Sequence, residues 1–235
     1  RFYSETPLYM PDVYQVSDRL RVQGSAPTRA SCGLPEQGFV FCSFNNSYKY
    51  TPVVFDVWLG LLSEVPGSVL WLLADNPAAE ANLRAYAQSK GVSQERLVFA
   101  TRVSPENYLA RYLIADLFLD TFPFNAGTTA NDCLWMGCPL LTLSGRSFAS
   151  RMAGALLTAA GLSELIATSL DQYKAIALAL ATDPARCLSI RDRLRVVRQE
   201  GALFDTARFT RALEERLLDL VSHLPALAQE NSSPA

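Results

Sequence analysis

Six short apolar runs, alternating with amphipathic segments, restrict the fold of this 235-residue chain more than any other feature. The runs lie at 39–44, 68–73, 96–100, 116–119, 140–142 and 165–167. They show little polar and apolar alternation, which is typical of parallel strands that are buried on both faces. Helices are predicted at 52–64, 77–90, 104–115, 128–136, 148–160, 169–181, 183–197 and 205–221. The alternation predicts an α/β fold with a doubly wound, Rossmann-like parallel sheet and helices on both faces.

The chain is expected to contain one compact domain between two less regular ends. Residues 1–38 lack a periodic pattern and are rich in turn-forming residues, as in 23–27 and 32–38, so they are predicted to be a connector. Residues 39–224 carry the strand and helix patterns and form the predicted domain. The polar segment 225–235 is predicted to be a disordered tail. Because the chain starts without Met in a strand-like piece, we expect it to be part of a longer protein.

Composition argues against several classes of function. Hydrophobic residues make up 49% of the chain and the formal net charge is -2, so a large core is possible and no nucleic-acid partner is expected. No apolar run reaches ~18 residues and no basic-then-apolar leader begins the chain, so neither a membrane span nor a signal segment is predicted. The cysteines, at positions 32, 42, 133, 138 and 187, have no metal-binding spacing. They predict reduced, buried thiols in a cytoplasmic protein.

The most informative stretch spans 116–139, where a strand, a polar turn, a helix and a Gly-x-Pro segment follow one another. The turn ends in Gly127, Thr128 and Thr129, which suit a helix N-terminus that holds an anion. Asp132 lies one turn further on, on the same helix face, where it could accept hydrogen bonds from a sugar hydroxyl. Thr-Thr after Gly is also an ordinary N-cap, and an early acidic residue also complements the helix dipole. This stretch alone supports a nucleotide-sugar site and an ordinary helix start equally.

Two further polar turns, at 45–49 and 101–104, are expected at the same edge, because the carboxyl ends of parallel strands lie together. Lys49 is a mobile point charge suited to a leaving diphosphate, and its alternative is a solvated loop lysine. Asn46 could offer its amide to the same phosphate or only to its own backbone. Arg111 could pair with phosphate or with a neighbouring carboxylate, and the structural interpretation is slightly favoured.

These motifs resemble the donor-binding region of the O-linked N-acetylglucosamine transferase and SPINDLY family. The resemblance covers 39–221 and rests on Leu119-Asp120-Thr121, on Thr128-Thr129 followed by Asp132-x-Leu134-Trp135-x-Gly137-x-Pro139, on 44–49 (Phe-Asn-Asn-Ser-Tyr-Lys) and on Ala149-Ser150-Arg151. It implies that the chain is the C-terminal, donor-binding lobe of a GT-B glycosyltransferase. The acceptor-binding lobe and a set of helical repeats would then lie upstream.

The resemblance also implies a role for each matched residue. Asn46 takes the place of an amide near the diphosphate, and Lys49 takes the place of the diphosphate lysine that is essential for catalysis. Thr128 and Thr129 match the phosphate-binding threonines. Asp132 matches the aspartate that holds the ribose.

Two positions depart from the animal transferases. Gly127 stands where those proteins have His before Thr-Thr, as it does in SPINDLY-type sequences. Tyr108 stands where many members have His. A tyrosine still offers a π face to a base ring, so the base is expected near Val103 and Tyr108, with the backbone of 101–104 reading its edge. Both departures leave the donor base and sugar open.

The resemblance implies an inverting transferase that moves N-acetylglucosamine from UDP-GlcNAc to Ser or Thr hydroxyls of proteins. GDP-fucose is the alternative donor, and a non-catalytic nucleotide-binding or regulatory module is the alternative function. A GT-B epimerase or small-molecule transferase is disfavoured, because the Glu-x7-Glu pattern after Pro139 is missing. No cofactor or metal is implied, since Lys49 and the helix terminus can neutralise the diphosphate. Because the acceptor would bind upstream, this chain alone is expected to bind donor weakly and to transfer nothing.

Overall fold

The computed structural model describes residues 4–223, whose centre is a six-stranded sheet with the order β3-β2-β1-β4-β5-β6. The strands are β1 (Val40–Ser43), β2 (Val69–Leu73), β3 (Leu97–Ala100), β4 (Leu117–Leu119), β5 (Leu140–Leu143) and β6 (Ile166–Ala167). The helices are α1 (Pro52–Glu64), α2 (Pro77–Ser89), α3 (Pro105–Arg111), α4 (Thr128–Trp135), α5 (Met152–Ala159), α6 (Leu170–Thr182), α7 (Pro184–Glu200) and α8 (Thr206–His223). Each neighbouring pair of strands is parallel. The predicted doubly wound parallel sheet is therefore confirmed.

The strands form the buried centre of the molecule. In the register of β1, Val40 lies opposite Val69 of β2, and Phe41 lies opposite Leu117 of β4. Every residue of β1, β4 and β5 is buried. Helices cover the sheet, with α1 packed against α6 and α4 packed against α5 and α7. This complete burial explains why the strand sequences show no polar alternation.

The strand order reverses between β1 and β4, which are neighbours in the sheet although β2 and β3 separate them in the chain. On one side of this junction the chain continues outward to β3, and on the other it continues to β6. A crevice therefore opens between the loops that leave the carboxyl ends of β1 and β4. Open α/β sheets bind their ligands at this kind of switch point.

The start of α5 differs from the predicted helix at 148–160. Residues 148–151 form a turn instead, and the carbonyl oxygen of Ala149 accepts a hydrogen bond from the Asn125 N–H group at 2.9 Å. This hydrogen bond joins the segment to the loop that follows β4, so the helix begins only at Met152. This requirement is tertiary, so the apolar spacing of the segment could not reveal it.

The end of α3 also differs, because the helix stops at Arg111 rather than at 115. The N–H groups of Tyr112, Leu113 and Ile114 each donate to the carbonyl three residues earlier, at 3.1 Å. These tighter bonds close the helix with a 3-10-type turn. The chain then enters β4 directly.

The predicted connector contains no strand between residues 4 and 38, and its one short helical turn is Ala30–Cys32. It is nevertheless anchored to the domain, because Val13 and Leu34 are buried. Arg29 donates to the Asp116 carboxylate at 2.9 Å. The boundary drawn at residue 38 stays a prediction, and the predicted tail at 225–235 lies outside the described residues. Within 4–223, no helix has the length and apolarity needed to cross a membrane.

Tyr173 links α6 to the loop after β4 and yields a first prediction. Its hydroxyl accepts a hydrogen bond from Trp58 Nε1 at 3.2 Å and donates to the backbone carbonyl of Asp120 at 3.1 Å. Tyr173→Phe should lower the free energy of unfolding by about 1–3 kcal/mol, because it leaves two buried polar groups unpaired. Urea denaturation measures the change. Tyr48→Phe, at a side chain that is 72% exposed, is the matched control. A loss at Tyr173 no larger than the control's would contradict the prediction.

Candidate donor-binding site

The loop after β1 places Lys49 at the crevice through a short helical turn, Ser47–Lys49. The Asp75 carboxylate accepts hydrogen bonds from the Ser47 N–H group at 2.8 Å and from its hydroxyl at 3.2 Å. Tyr50 closes the other end of the turn, since its hydroxyl lies 2.7 Å from the carbonyl oxygen of Asn45. The backbone that carries Lys49 is therefore held from two sides.

Lys49 reaches across the crevice to the loop that follows β4. Its Nζ donates to the carbonyl oxygen of Asn125 at 3.0 Å and lies 3.8 Å from the centroid of the Phe124 ring. Asn125 lies three positions before the first residue of α4. The cation and the start of α4 thus lie at the same edge of the sheet. An ammonium has three donors, so further hydrogen bonds to an anion remain possible.

The loop after β4 is organised by the buried carboxylate of Asp120. Oδ1 accepts from the N–H groups of Thr121 at 2.8 Å and Ala126 at 2.7 Å. Oδ2 accepts from the Thr142 hydroxyl of β5 at 2.7 Å. The Asn45 amide lies further from Oδ1, at 3.4 Å. The carboxylate therefore joins the ends of β4 and β5 to the residues that lead into α4.

Burial perturbs the ionisation of both charged groups in this part of the site. Burial raises the pKa of Asp120 to about 7, although its hydrogen bonds and the Lys49 charge oppose the rise. Burial lowers the pKa of Lys49, and the negative charge of Asp120 opposes that shift. Each group therefore favours the charged form of the other.

The first turn of α4 lies beside this network. Thr128 is exposed and Thr129 is partly buried, so the helix N-terminus remains open on the Thr128 side. Gly127 is buried at the N-cap position. A Cβ atom at Gly127 would lie 2.7 Å from Met152 Cε. A side chain at Gly127 would therefore have to displace the tip of the Met152 side chain.

Tyr108 and Asp132 lie together in a pocket of about 300 Å³. Its walls come from the connector, from α3 and from α4: Arg21, Val22, Pro105, Glu106, Tyr108, Leu109 and Asp132. The Tyr108 hydroxyl lies 2.7 Å from that of Tyr112, and the two rings meet edge to face with centroids 5.5 Å apart. Tyr108 therefore packs on the core and also lines the pocket. Its size and lining suit the nucleoside half of a nucleotide.

The remaining predicted residues are more dispersed. Asn46 caps the turn that carries Lys49, and its carbonyl accepts the Lys49 N–H at 3.0 Å. Val103 is 43% exposed in the loop after β3. Arg111 is buried with its guanidinium 5.9 Å from the Trp71 ring, outside the residues that line the pocket. Burial lowers the pKa of Arg111. The binding roles of these residues stay predictions.

The connector contributes residues to the site that no sequence signal indicated. Arg21 forms an ion pair with Asp132, and the hydroxyl of Tyr14 lies 3.7 Å from the position of a Cβ atom on Gly127. No periodic or motif signal marks either residue in the sequence. Arg21 follows Asp18 and Arg19 closely in the sequence, so its charge did not distinguish it from its neighbours. Among residues 4–223, no group of three or more His, Cys, Asp or Glu side chains is placed to hold a metal ion.

Residues 4–213 match the sequence model of Glycosyl transferase family 41. The chain belongs to glycosyl transferase family 41. The match covers most of the connector as well as the domain, and it confirms the resemblance to the O-linked N-acetylglucosamine transferases and SPINDLY proteins.

Individual family members agree with this assignment. The chain is 36% identical over 219 residues to the probable UDP-N-acetylglucosamine–peptide N-acetylglucosaminyltransferase SEC of Arabidopsis thaliana, covering 90% of the chain and 22% of the relative. It is 34% identical over 183 residues to the probable UDP-N-acetylglucosamine–peptide N-acetylglucosaminyltransferase SPINDLY of Solanum lycopersicum, covering 75% and 20%. The chain therefore spans about a fifth of the length of these curated relatives.

A solved structure supports the same fold. A mutant O-GlcNAc transferase of Thermobaculum terrenum superimposes with a TM-score of 0.81 at 31% identity, covering 91% of this chain and 40% of that one. The predicted fold, a Rossmann-like lobe of a GT-B glycosyltransferase, is thereby confirmed.

The buried carboxylate of Asp120 yields a second prediction. Its pKa in the folded chain, about 7, is above the ordinary value of 3.8, so the folded state binds the proton more tightly. The contribution of Asp120 to stability is therefore fully present below about pH 4 and is lost as the pH rises to about 7, by at most about 1.4 kcal/mol per pH unit. Asp120→Asn should remove this slope, as measured by urea unfolding between pH 4 and pH 8 (about 0.5-unit steps). Exposed Asp171→Asn is the control. An unchanged slope in Asp120→Asn would refute the assignment.

Proposed function

We propose that this chain is the nucleotide-sugar-binding lobe of a protein glycosyltransferase. In this proposal the complete enzyme transfers N-acetylglucosamine from UDP-GlcNAc to Ser or Thr hydroxyls of proteins. The observation that carries the proposal is the 3.0 Å hydrogen bond from Lys49 Nζ to the Asn125 carbonyl. That contact brings the Lys49 ammonium close to the N-terminus of α4. It supports one anion-binding position that both groups face, between the two loops of the switch point.

The proposed chemistry requires stabilisation of a leaving diphosphate. When the bond between the sugar carbon and the diphosphate oxygen breaks, that oxygen gains negative charge. The N–H groups at the start of α4, the hydroxyls of Thr128 and Thr129, and the ammonium of Lys49 would meet this charge. Asn46 would add its side-chain amide. These groups can act without a metal ion, because their summed positive potential faces the phosphates.

The nucleoside would occupy the pocket beside α3. In this arrangement the base stacks on Tyr108 near Val103, and the ribose hydroxyls donate to Asp132. Arg111 would act at a distance, as support for the aromatic core beneath the pocket. A pocket that joins an aromatic face to a carboxylate supports a nucleoside better than it supports a free sugar.

Two alternatives rest on the same site. GDP-fucose would need the same diphosphate contacts and a larger pocket for the base. A non-catalytic module would bind the nucleotide but would not need Lys49. The names of the relatives from Arabidopsis thaliana and Solanum lycopersicum both specify UDP-N-acetylglucosamine, which favours the uridine donor. Calorimetric titration of the chain with UDP and with GDP distinguishes the bases. Tighter binding of GDP would overturn the uridine assignment.

The acceptor is proposed to bind outside this chain. The names of both curated relatives specify a peptide acceptor, and the chain spans about a fifth of each of them. Transfer is therefore best measured in a longer chain that includes the acceptor-binding lobe. A serine-containing peptide is the first acceptor to try, with hydrolysis of UDP-GlcNAc as the control reaction.

The stacking role of Tyr108 gives a third prediction. Tyr108→Ala should weaken UDP binding by about 1–3 kcal/mol, because it removes the face on which the base stacks. Tyr108→Phe keeps that face and loses the hydroxyl that contacts Tyr112, so it should bind UDP nearly as well as the wild type. Calorimetry measures both affinities, and circular dichroism checks the fold. Equal affinity in the alanine variant and the wild type would exclude stacking.

The leaving-group role of Lys49 gives a fourth prediction. Lys49→Ala should lower turnover by about 10²–10³, because the charge that it stabilises develops mainly in the transition state. Its affinity for UDP-GlcNAc should fall much less. Transfer rates and donor affinity are measured in the longer chain, with exposed Lys90→Ala as the control. Turnover within a few-fold of the wild type would show that the proposed role is wrong.

A further inference from the structure

We propose that Arg21, from the connector, is a positioning residue for the donor ribose. It acts by holding the Asp132 carboxylate in the orientation that accepts the ribose hydroxyls. The inference rests on the proposed function, because it assumes that a nucleoside occupies the pocket beside Tyr108. It extends that function to the connector, which would complete the donor site.

The guanidinium of Arg21 contacts two partners. Nη1 pairs with Oδ1 of Asp132, and Nη2 donates to the Ser17 hydroxyl at 2.8 Å. A planar guanidinium that is held at two nitrogens has little freedom to rotate. It therefore restricts the carboxylate that it contacts. Arg21 uses only Oδ1 of Asp132, and the Tyr108 hydroxyl also lies close to the carboxylate.

The connector itself is clamped on both sides of Arg21. Upstream, Ser17 is buried and its N–H donates to the Leu203 carbonyl at 3.2 Å. Downstream, the Gly24 N–H donates to the Glu106 carbonyl at 3.1 Å. A Cβ atom at Gly24 would lie 2.8 Å from Asn107 Oδ1, so the connector lies close against the start of α3. These two anchors fix the segment that presents Arg21.

The ion pair is shielded but not closed off. The side chains of Arg21 and Asp132 are 21% and 19% exposed. Both line the pocket of about 300 Å³ that Tyr108 also lines. A ligand in this pocket would therefore meet the carboxylate directly.

Arg21 also sets the charge of the carboxylate. Burial raises the pKa of Asp132, whereas the Arg21 cation and the nearby Tyr108 hydroxyl lower it. Glu106 of α3 also lines the pocket, and Tyr112, whose pKa burial raises well above its ordinary value, contacts Tyr108. Without Arg21 the Asp132 carboxyl would take up a proton at higher pH. A protonated carboxyl is a weaker acceptor for ribose hydroxyls.

The test compares ligands with and without the ribose hydroxyls. The chain is titrated calorimetrically with UDP and 2′,3′-dideoxy-UDP, and with the matching GDP pair. The wild type should prefer the hydroxylated ligand roughly tenfold or more, since Asp132 offers a charged acceptor. Arg21→Ala should reduce that preference several-fold, whereas Arg21→Lys, which keeps the charge but lacks the planar geometry of the guanidinium, should give an intermediate value. The loss in Arg21→Ala should be greater at pH 5 than at pH 8.

The matched control is Arg19→Ala. Arg19 lies on the same connector, and its guanidinium donates to the Gly201 carbonyl at 3.2 Å, away from the pocket residues. A merely structural effect of Arg21→Ala would weaken both members of a ligand pair equally and leave the preference unchanged, which would overturn the proposal. An unchanged affinity for every ligand would overturn it as well. Failure of the wild type to bind any nucleotide would instead refute the proposed function, and the inference with it.

Discussion

The hydrogen bonds around the buried carboxylate of Asp120 are the interaction on which the rest of the site depends. A buried carboxyl group without partners is strongly unfavourable, so its position determines where its donors must be. Those donors come from Thr121, Ala126 and Thr142, which join the end of β4, the approach to α4 and the end of β5. The Asp120 backbone carbonyl also accepts from Tyr173 of α6. The loop can therefore move only if several elements move with it.

An aromatic cluster supports the part of the site around Tyr108. Phe44 meets Trp71 and Tyr112 edge to face, with ring centroids 5.0 and 5.2 Å apart. Tyr112 in turn contacts Tyr108 and the Phe118 ring of β4. The Tyr108 ring is thus supported by residues of β2 and β4 and by Phe44, which directly follows β1. A ligand that stacks there would meet a preorganised surface and would not have to order a mobile side chain.

Charge is balanced pairwise across the site. Each of the two partly or fully buried carboxylates, Asp120 and Asp132, has a pKa that burial raises and a nearby cation lowers. The cations come from different parts of the chain: Lys49 follows β1, and Arg21 belongs to the connector. Positive groups thus face both the expected phosphate position and the expected ribose position. In the proposed function, this arrangement would attract an anionic ligand while each carboxylate holds its cation in place.

The sequence alone determined the six strands and the parallel sheet, and it placed Lys49 in the loop after β1 and Thr128 and Asp132 in α4. Burial of a strand and capping of a helix depend on neighbouring residues, so a local pattern reveals them. Tertiary structure decided the start of α5, where the Ala149 carbonyl is taken by Asn125. It also decided the place of Arg21, whose partner lies 111 positions away. The connector carries no periodicity, and a single ion pair leaves no local pattern. Contacts of this kind exist only once the sheet has brought distant segments together.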